Sequence, residues 1–118
     1  RAARISAGAH IRAMQNCRPG LREYHLEAEL LHEFRRHGSQ HVAYNSIVAA
    51  GSNTCILHHR AGNAELRDGD LCLIDAGCEL DGYASDITRT FPVNGKFSGP
   101  QRSIYEIVLA AQIAARVT

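Results

Sequence analysis

Nowhere in these 118 residues does an apolar run approach the roughly 20 consecutive residues that a helix needs to cross a bilayer. Excess charge of either sign is missing too. The formal net charge is +1 and the thirteen Lys and Arg are dispersed, apart from the pair Arg35-Arg36, so there is no electrostatic case for nucleic acid or an anionic membrane as partner. Cysteine is scarce: Cys17, Cys55, Cys72 and Cys78 contain no Cys-x-x-Cys spacing, and so few in a chain of this length make no disulfide framework. Cys72 and Cys78 share a parity but stand roughly 20 Å apart along an extended strand, too far for a bridge. They read as buried thiols in a reducing cytoplasm, with no part in metal binding. Internal repeats, low-complexity segments and a visible signal peptide are likewise missing. What remains, 45% hydrophobic and 21% charged residues, is ordinary globular composition, enough for one domain with a modest core.

Periodicity divides the chain into helices and strands. Residues 1 to about 16 suit a helix, with Ala3, Ala7, Ile11 and Met14 recurring on one face. Cys17-Arg-Pro-Gly20 ends it, because proline disfavours helix in its predecessor and glycine permits the turn. A second helix is expected over about 21–37, with Leu21, Tyr24, Ala28, Leu31 and Phe34 as its apolar stripe and Gly38 as its stop. Glu23, Glu27 and Glu29 early, then Arg35, Arg36 and His37 late, complement the helix dipole and read as a solvated face. A buried strand over 42–50 and a short one over 55–58 follow, then a polar connection to Asp70. Ser98-Gly-Pro-Gln101 is a capping box that opens a last helix, whose one side carries Ile104, Ile107, Val108 and Ala111. This order indicates α+β architecture, with helices on one face of an antiparallel sheet.

The most informative segment runs from Leu71 to Phe91. Asp81-Gly82 is a strong hairpin signal, since a type I′ turn needs positive φ at both central residues. A two-residue loop pairs Leu80 with Tyr83, which sets Gly77 opposite Asp86 and Asp75 opposite Thr88. Asp75 and Asp86 then project from one face as diagonal neighbours, roughly 7–8 Å apart at the backbone. Gly77, without a side chain, is expected to leave room beside Asp86. Two facing carboxylates repel and raise each other's pKa unless a cation lies between them, and oxygen donors suit Mn, Mg or Zn. Scattered acids on a solvated sheet face are the plain alternative. Glu79 shares that face but lies near the turn, where solvent exposure is expected. Thr88 is placed either to orient Asp75 by a hydrogen bond or simply as a β-favourable strand residue.

Residues Cys55-Ile-Leu-His58 and the run from Arg67-Asp-Gly-Asp70 through Asp75, Asp86 and Ile87-Thr-Arg-Thr-Phe-Pro-Val-Asn-Gly-Lys-Phe97 resemble the pita-bread metallopeptidase family. Cys17-Arg-Pro-Gly20, His32-Glu-Phe34 and Tyr44-Asn45 extend the likeness over nearly the whole chain. Within the family the sequence is most similar to the Xaa-Pro aminopeptidases. His59 departs from the family pattern, which has tyrosine there.

The resemblance implies half of a pita-bread fold. Residues 1–118 would be the N-terminal half of a metallopeptidase catalytic domain, with the second half absent. A chain that opens on Arg1 inside a helix and stops at Thr118 inside another also reads as a piece of a larger enzyme. Asp75 and Asp86 match the first two metal ligands, which implies two divalent ions; the family suggests manganese, and carboxylates alone also admit zinc or cobalt. His58 matches a catalytic histidine that contacts substrate near the scissile bond, whereas a satisfied structural histidine is its plain alternative. Tyr44 lines the substrate pocket by family position, or else is a core tyrosine. His59 and the other five histidines read as structural or surface residues. The implied activity is release of an N-terminal residue preceding proline, by a cytoplasmic enzyme that is homo-oligomeric at full length. Prolidase, methionine aminopeptidase, and a catalytically inert fragment or peptide-binding module are the alternatives.

Overall fold

In the computed structural model, which describes residues 1–116, the hairpin adopts the expected register but bends midway. Its inner half pairs β3 (Leu71–Ala76) with β6 (Ile87–Pro92), placing Asp75 opposite Thr88. Its outer half pairs β4 (Cys78–Leu80) with β5 (Tyr83–Ala84), closing on Asp81 and Gly82 at φ 53° and 88°. The two halves belong to different three-stranded sheets rather than to one. β1 (His41–Val42) joins the outer half, and β2 (Ile47–Ala50) joins the inner half, both antiparallel.

Gly77 is the point of the bend. A Cβ there would lie 1.8 Å from the Ser85 carbonyl oxygen, so the glycine makes way for backbone rather than for the Asp86 side chain. Two hydroxyls fill the gap in the ladder. The Cys78 N–H donates to Ser6 Oγ at 3.0 Å and to Ser85 Oγ at 3.1 Å, and the hydroxyls lie 2.6 Å apart.

α1 (Ala2–Asn16) and α2 (Glu23–Arg36) cover one side of this framework. Their buried faces differ in phase from the expected stripes. α1 buries Ala2, Ile5, Ser6, Ala9, His10 and Ala13, while Ile11 is 51% exposed. α2 buries Glu23, Leu26, Leu30 and Phe34 and leaves Tyr24, Ala28 and Leu31 outside. Both phases satisfy helical spacing; the small residues of α1 win because they admit the closest approach to α2 and the hairpin. Those residues join Val48, Leu66, Cys72, Ile74, Ala76, Cys78, Phe91 and Val93 in one core.

Two expected strands change form. The 42–50 stretch breaks at 43–46, and 51–55 forms a short 3-10 helix instead of leading into a strand at 55–58. α3 (Gly99–Arg116) starts at the expected capping box, with reciprocal bonds between Ser98 and Gln101 of 2.9 and 3.3 Å. No α3 residue is buried, so the described residues leave the Ile104–Ile107–Val108 side uncovered.

Candidate metal and substrate site

The break between β1 and β2 frees Tyr44 from the ladders and lets its phenol reach across to the hairpin. Tyr44 Oη lies 2.5 Å from Asp75 Oδ1 and 2.9 Å from Asp86 Oδ1. The two carboxylates are therefore no further apart than those two bonds laid end to end. Both aim at one point on one side of the hairpin, as the register requires. A phenol has a single proton to share between two acceptors. Burial and the two carboxylates push the Tyr44 pKa up, so it stays a neutral donor.

Tyr44, His58, Asp75 and Asp86 line a common cleft of about 560 Å³, together with Asn45, Ile47 and Arg60. The structure thus brings together all four candidate residues. His58 is exposed and holds φ at 58°, an uncommon conformation for a non-glycine residue. Among the described residues, no three His, Cys, Asp or Glu side chains converge to hold a metal. The donor set fits hard divalent cations: two short carboxylates reach the same point, and no thiol is among the residues lining the cleft. Cys72 and Cys78 are buried in the core, and burial pushes the Cys17 thiol up to about 11.

Thr88 pairs with Asp75 across the ladder, but among the described residues it is the Tyr44 hydroxyl, not that of Thr88, that bonds the Asp75 carboxylate. Glu79 is half-buried rather than fully exposed, and its carboxylate accepts the Gly82 N–H at 2.6 Å. His10 packs beneath the hairpin, with Nε2 3.1 Å from the Ala76 carbonyl oxygen; burial lowers its pKa.

The residue that sequence reasoning missed is Glu23. Far from lying on a solvated face, it is fully buried. Its Oε2 accepts the Ala50 N–H at 2.8 Å and Asn53 Nδ2 at 3.0 Å; its Oε1 accepts the Gly62 N–H at 2.9 Å and faces His59 Nε2 at 3.0 Å. Desolvation pushes the carboxyl upward, but these four bonds outweigh it and hold its pKa below the usual range. One carboxylate so clamps both ends of the 50–62 loop that presents His58. The missed signal was the phase of α2, where Glu23 lies on the same face as Leu26 and Leu30.

Comparison with known proteins identifies the family. The family model of metallopeptidase family M24 matches residues 1–117. The chain is 64% identical over 109 residues to the Xaa-Pro aminopeptidase of Escherichia coli (strain K12), covering 92% of this chain and 25% of that protein. It is 62% identical over 111 residues to the Xaa-Pro aminopeptidase of Haemophilus influenzae, covering 94% and 26%. The structure of Pseudomonas aeruginosa aminopeptidase PepP superposes with a TM-score of 0.95 at 68% identity, covering 97% of this chain and 26% of that one. The α+β architecture is that of the matching part of these pita-bread enzymes. The chain spans about a quarter of the length of the curated relatives it matches.

Proposed function

The chain belongs to metallopeptidase family M24, and on that footing we propose that residues 1–118 form the N-terminal half of the catalytic domain of a metal-dependent Xaa-Pro aminopeptidase. The observation that carries this is the meeting of Asp75 and Asp86 at one Tyr44 hydroxyl, in a cleft that His58 also lines. The substrate would be a peptide with proline in second position, cleaved after its N-terminal residue; the relatives' activity supports that class.

Asp75 and Asp86 would hold the cations from this side of the cleft. Manganese is the metal that the family resemblance suggests, with zinc or cobalt compatible with the same donors. A bound pair of divalent ions supplies Lewis-acid polarisation of a carbonyl and acidifies water. The chain's own residues do the rest of the work visible here. Tyr44 donates its proton between the two carboxylates and fixes where they point. His58, held out into the cleft by the loop that Glu23 clamps, would hydrogen-bond the substrate beside the scissile bond and steady charge that develops there. The buried thiols Cys72 and Cys78 suit a reducing cytoplasmic setting, and a homo-oligomeric full-length enzyme belongs to the same proposal.

The deciding assay gives the full-length protein manganese and compares a tripeptide such as Arg-Pro-Pro with an Xaa-Pro dipeptide. Release of the first residue from the tripeptide is the expected result. Cleavage of the dipeptide alone would point to a prolidase and overturn the assignment.

A further inference from the structure

Among the described residues, Arg60 is the one basic residue besides His58 that lines the cleft, and the metal chemistry leaves it without a task. Its backbone bridges Ile47, whose other neighbour is Asp75, which in turn pairs with Thr88. Directly opposed residues in antiparallel pairs share a face, so Arg60, Ile47 and Asp75 form a row on the cleft side. Each step is about 4.5–5.5 Å, which places the Arg60 and Asp75 backbones about 10 Å apart.

The backbone of Arg60 is held, while its charge is not committed. His59, immediately before it, and Gly62, just beyond, both bond the buried Glu23 carboxylate. The side chain itself is exposed, and none of the ion pairs among the described residues includes it. A guanidinium beside acids that would hold cations repels those cations, so it contributes nothing to holding them. It matches an anion brought by the ligand. An extended peptide advances about 3.3–3.6 Å per residue, so 10 Å corresponds to about three residues from the bond at Asp75. At that distance a short peptide ends in its own carboxylate.

We propose that Arg60 is a specificity residue that binds a carboxylate of the peptide substrate, favouring short peptides with a free C-terminus. This deepens the aminopeptidase assignment above and rests on it. The planar guanidinium takes a carboxylate through two parallel N–H donors, which lysine does not reproduce.

The test uses the full-length, manganese-loaded protein and three peptides: Ala-Pro-Ala-Ala, its C-terminal amide, and the amide of Ala-Pro-Ala-Glu. Wild type is expected to favour the free acid over the amide by about tenfold in kcat/KM, mostly through KM, the size of one charge-assisted contact at a solvent-open site. Arg60→Ala should bring that ratio close to one, and Arg60→Lys should retain part of it. Recovery by the Glu-bearing amide in wild type assigns the subsite to side-chain carboxylates as well; no recovery assigns it to the C-terminus alone. A wild-type ratio near one, or the same ratio in Arg60→Ala, overturns the proposal. So does an equal loss for all three peptides, which would mean that Arg60 pairs within the protein. Calorimetric binding of the same peptides to metal-stripped protein separates this from the parent assignment. If no Xaa-Pro peptide is cleaved yet the acid binds tighter only with Arg60 present, the activity assignment falls and the subsite stands.

Discussion

At the scale of single residues, the site turns on how few protons serve how many oxygens. Tyr44 offers one hydrogen to two carboxylates, and nothing else in the described cleft donates to either. Tyr44→Phe is therefore expected to lower manganese affinity about 10–100-fold, the usual effect of losing a group that orients ligands. Titration calorimetry of the full-length protein reads this directly. Asp75→Asn and Asp86→Asn remove the ligands themselves and should lose more than Tyr44→Phe in the same titration. His58→Ala should instead leave metal binding intact and cut kcat by about 10²–10³, the typical cost of one donor aimed at developing charge. If His58→Ala weakened manganese binding as much as Asp86→Asn does, its role as a substrate contact would fail. The shared face of Asp75 and Asp86 was legible in sequence because it depends on strand parity, which a two-residue turn fixes without any tertiary knowledge; the role proposed for His58 came from the family resemblance alone. Tyr44 was legible only as a position, since no local pattern announces a break between β1 and β2.

Individual elements show where local pattern stops deciding. The hairpin register follows from Asp81-Gly82 alone, whereas the bend at Gly77 depends on Ser6, which comes from α1, seventy-one positions earlier in the chain. Gly77→Ala sets a Cβ against backbone of the facing strand. It should cost about 3 kcal/mol, at the upper end for overpacking, and weaken metal binding as the two acids part. Urea unfolding and manganese titration of the same variant check both effects. In α1 and α2 the apolar spacing admits two phases, and the burial of Ala9, Ala13 and Glu23 chose between them. Glu23 anchors α2 to the 50–62 loop, so Glu23→Gln should destabilise the protein by about 3 kcal/mol, because it sets an amide NH2 donor against N–H donors that lose their acceptor. The sign with pH follows from its lowered pKa. The folded state holds the ionised form, so its contribution is complete above the ordinary value of 4.5 and is lost as pH falls through the lower folded value. Stability measured from pH 6 downward should therefore drop below about 4.5 in wild type and be flatter in Glu23→Gln.

On the scale of the whole molecule, one core under α1 and α2 supports an open cleft, while α3 stands apart with Ile104, Ile107 and Val108 uncovered by the described residues. The α+β class and the helix order were legible from punctuation by Gly20, Gly38 and the Ser98–Gln101 box. The division into two sheets was not, because short strands reveal their partners only through contacts across the chain. Among the described residues only two carboxylates converge at the site, so on the proposed reading the 118 residues taken alone should bind manganese far more weakly than a longer chain that carries the rest of the domain. Parallel titrations decide it; tight uptake of two ions by the short chain would mean that further donors are supplied from within it.

Because both aspartates ride on a single hairpin closed by two residues, their approach is a neighbourhood event in folding. Hairpins of this kind close in about 1–10 μs, without waiting for distant parts of the polypeptide. In a growing chain α1, α2 and Tyr44 would already have been made by the time β6 follows, so the corner that holds the acids could turn with every group it uses at hand.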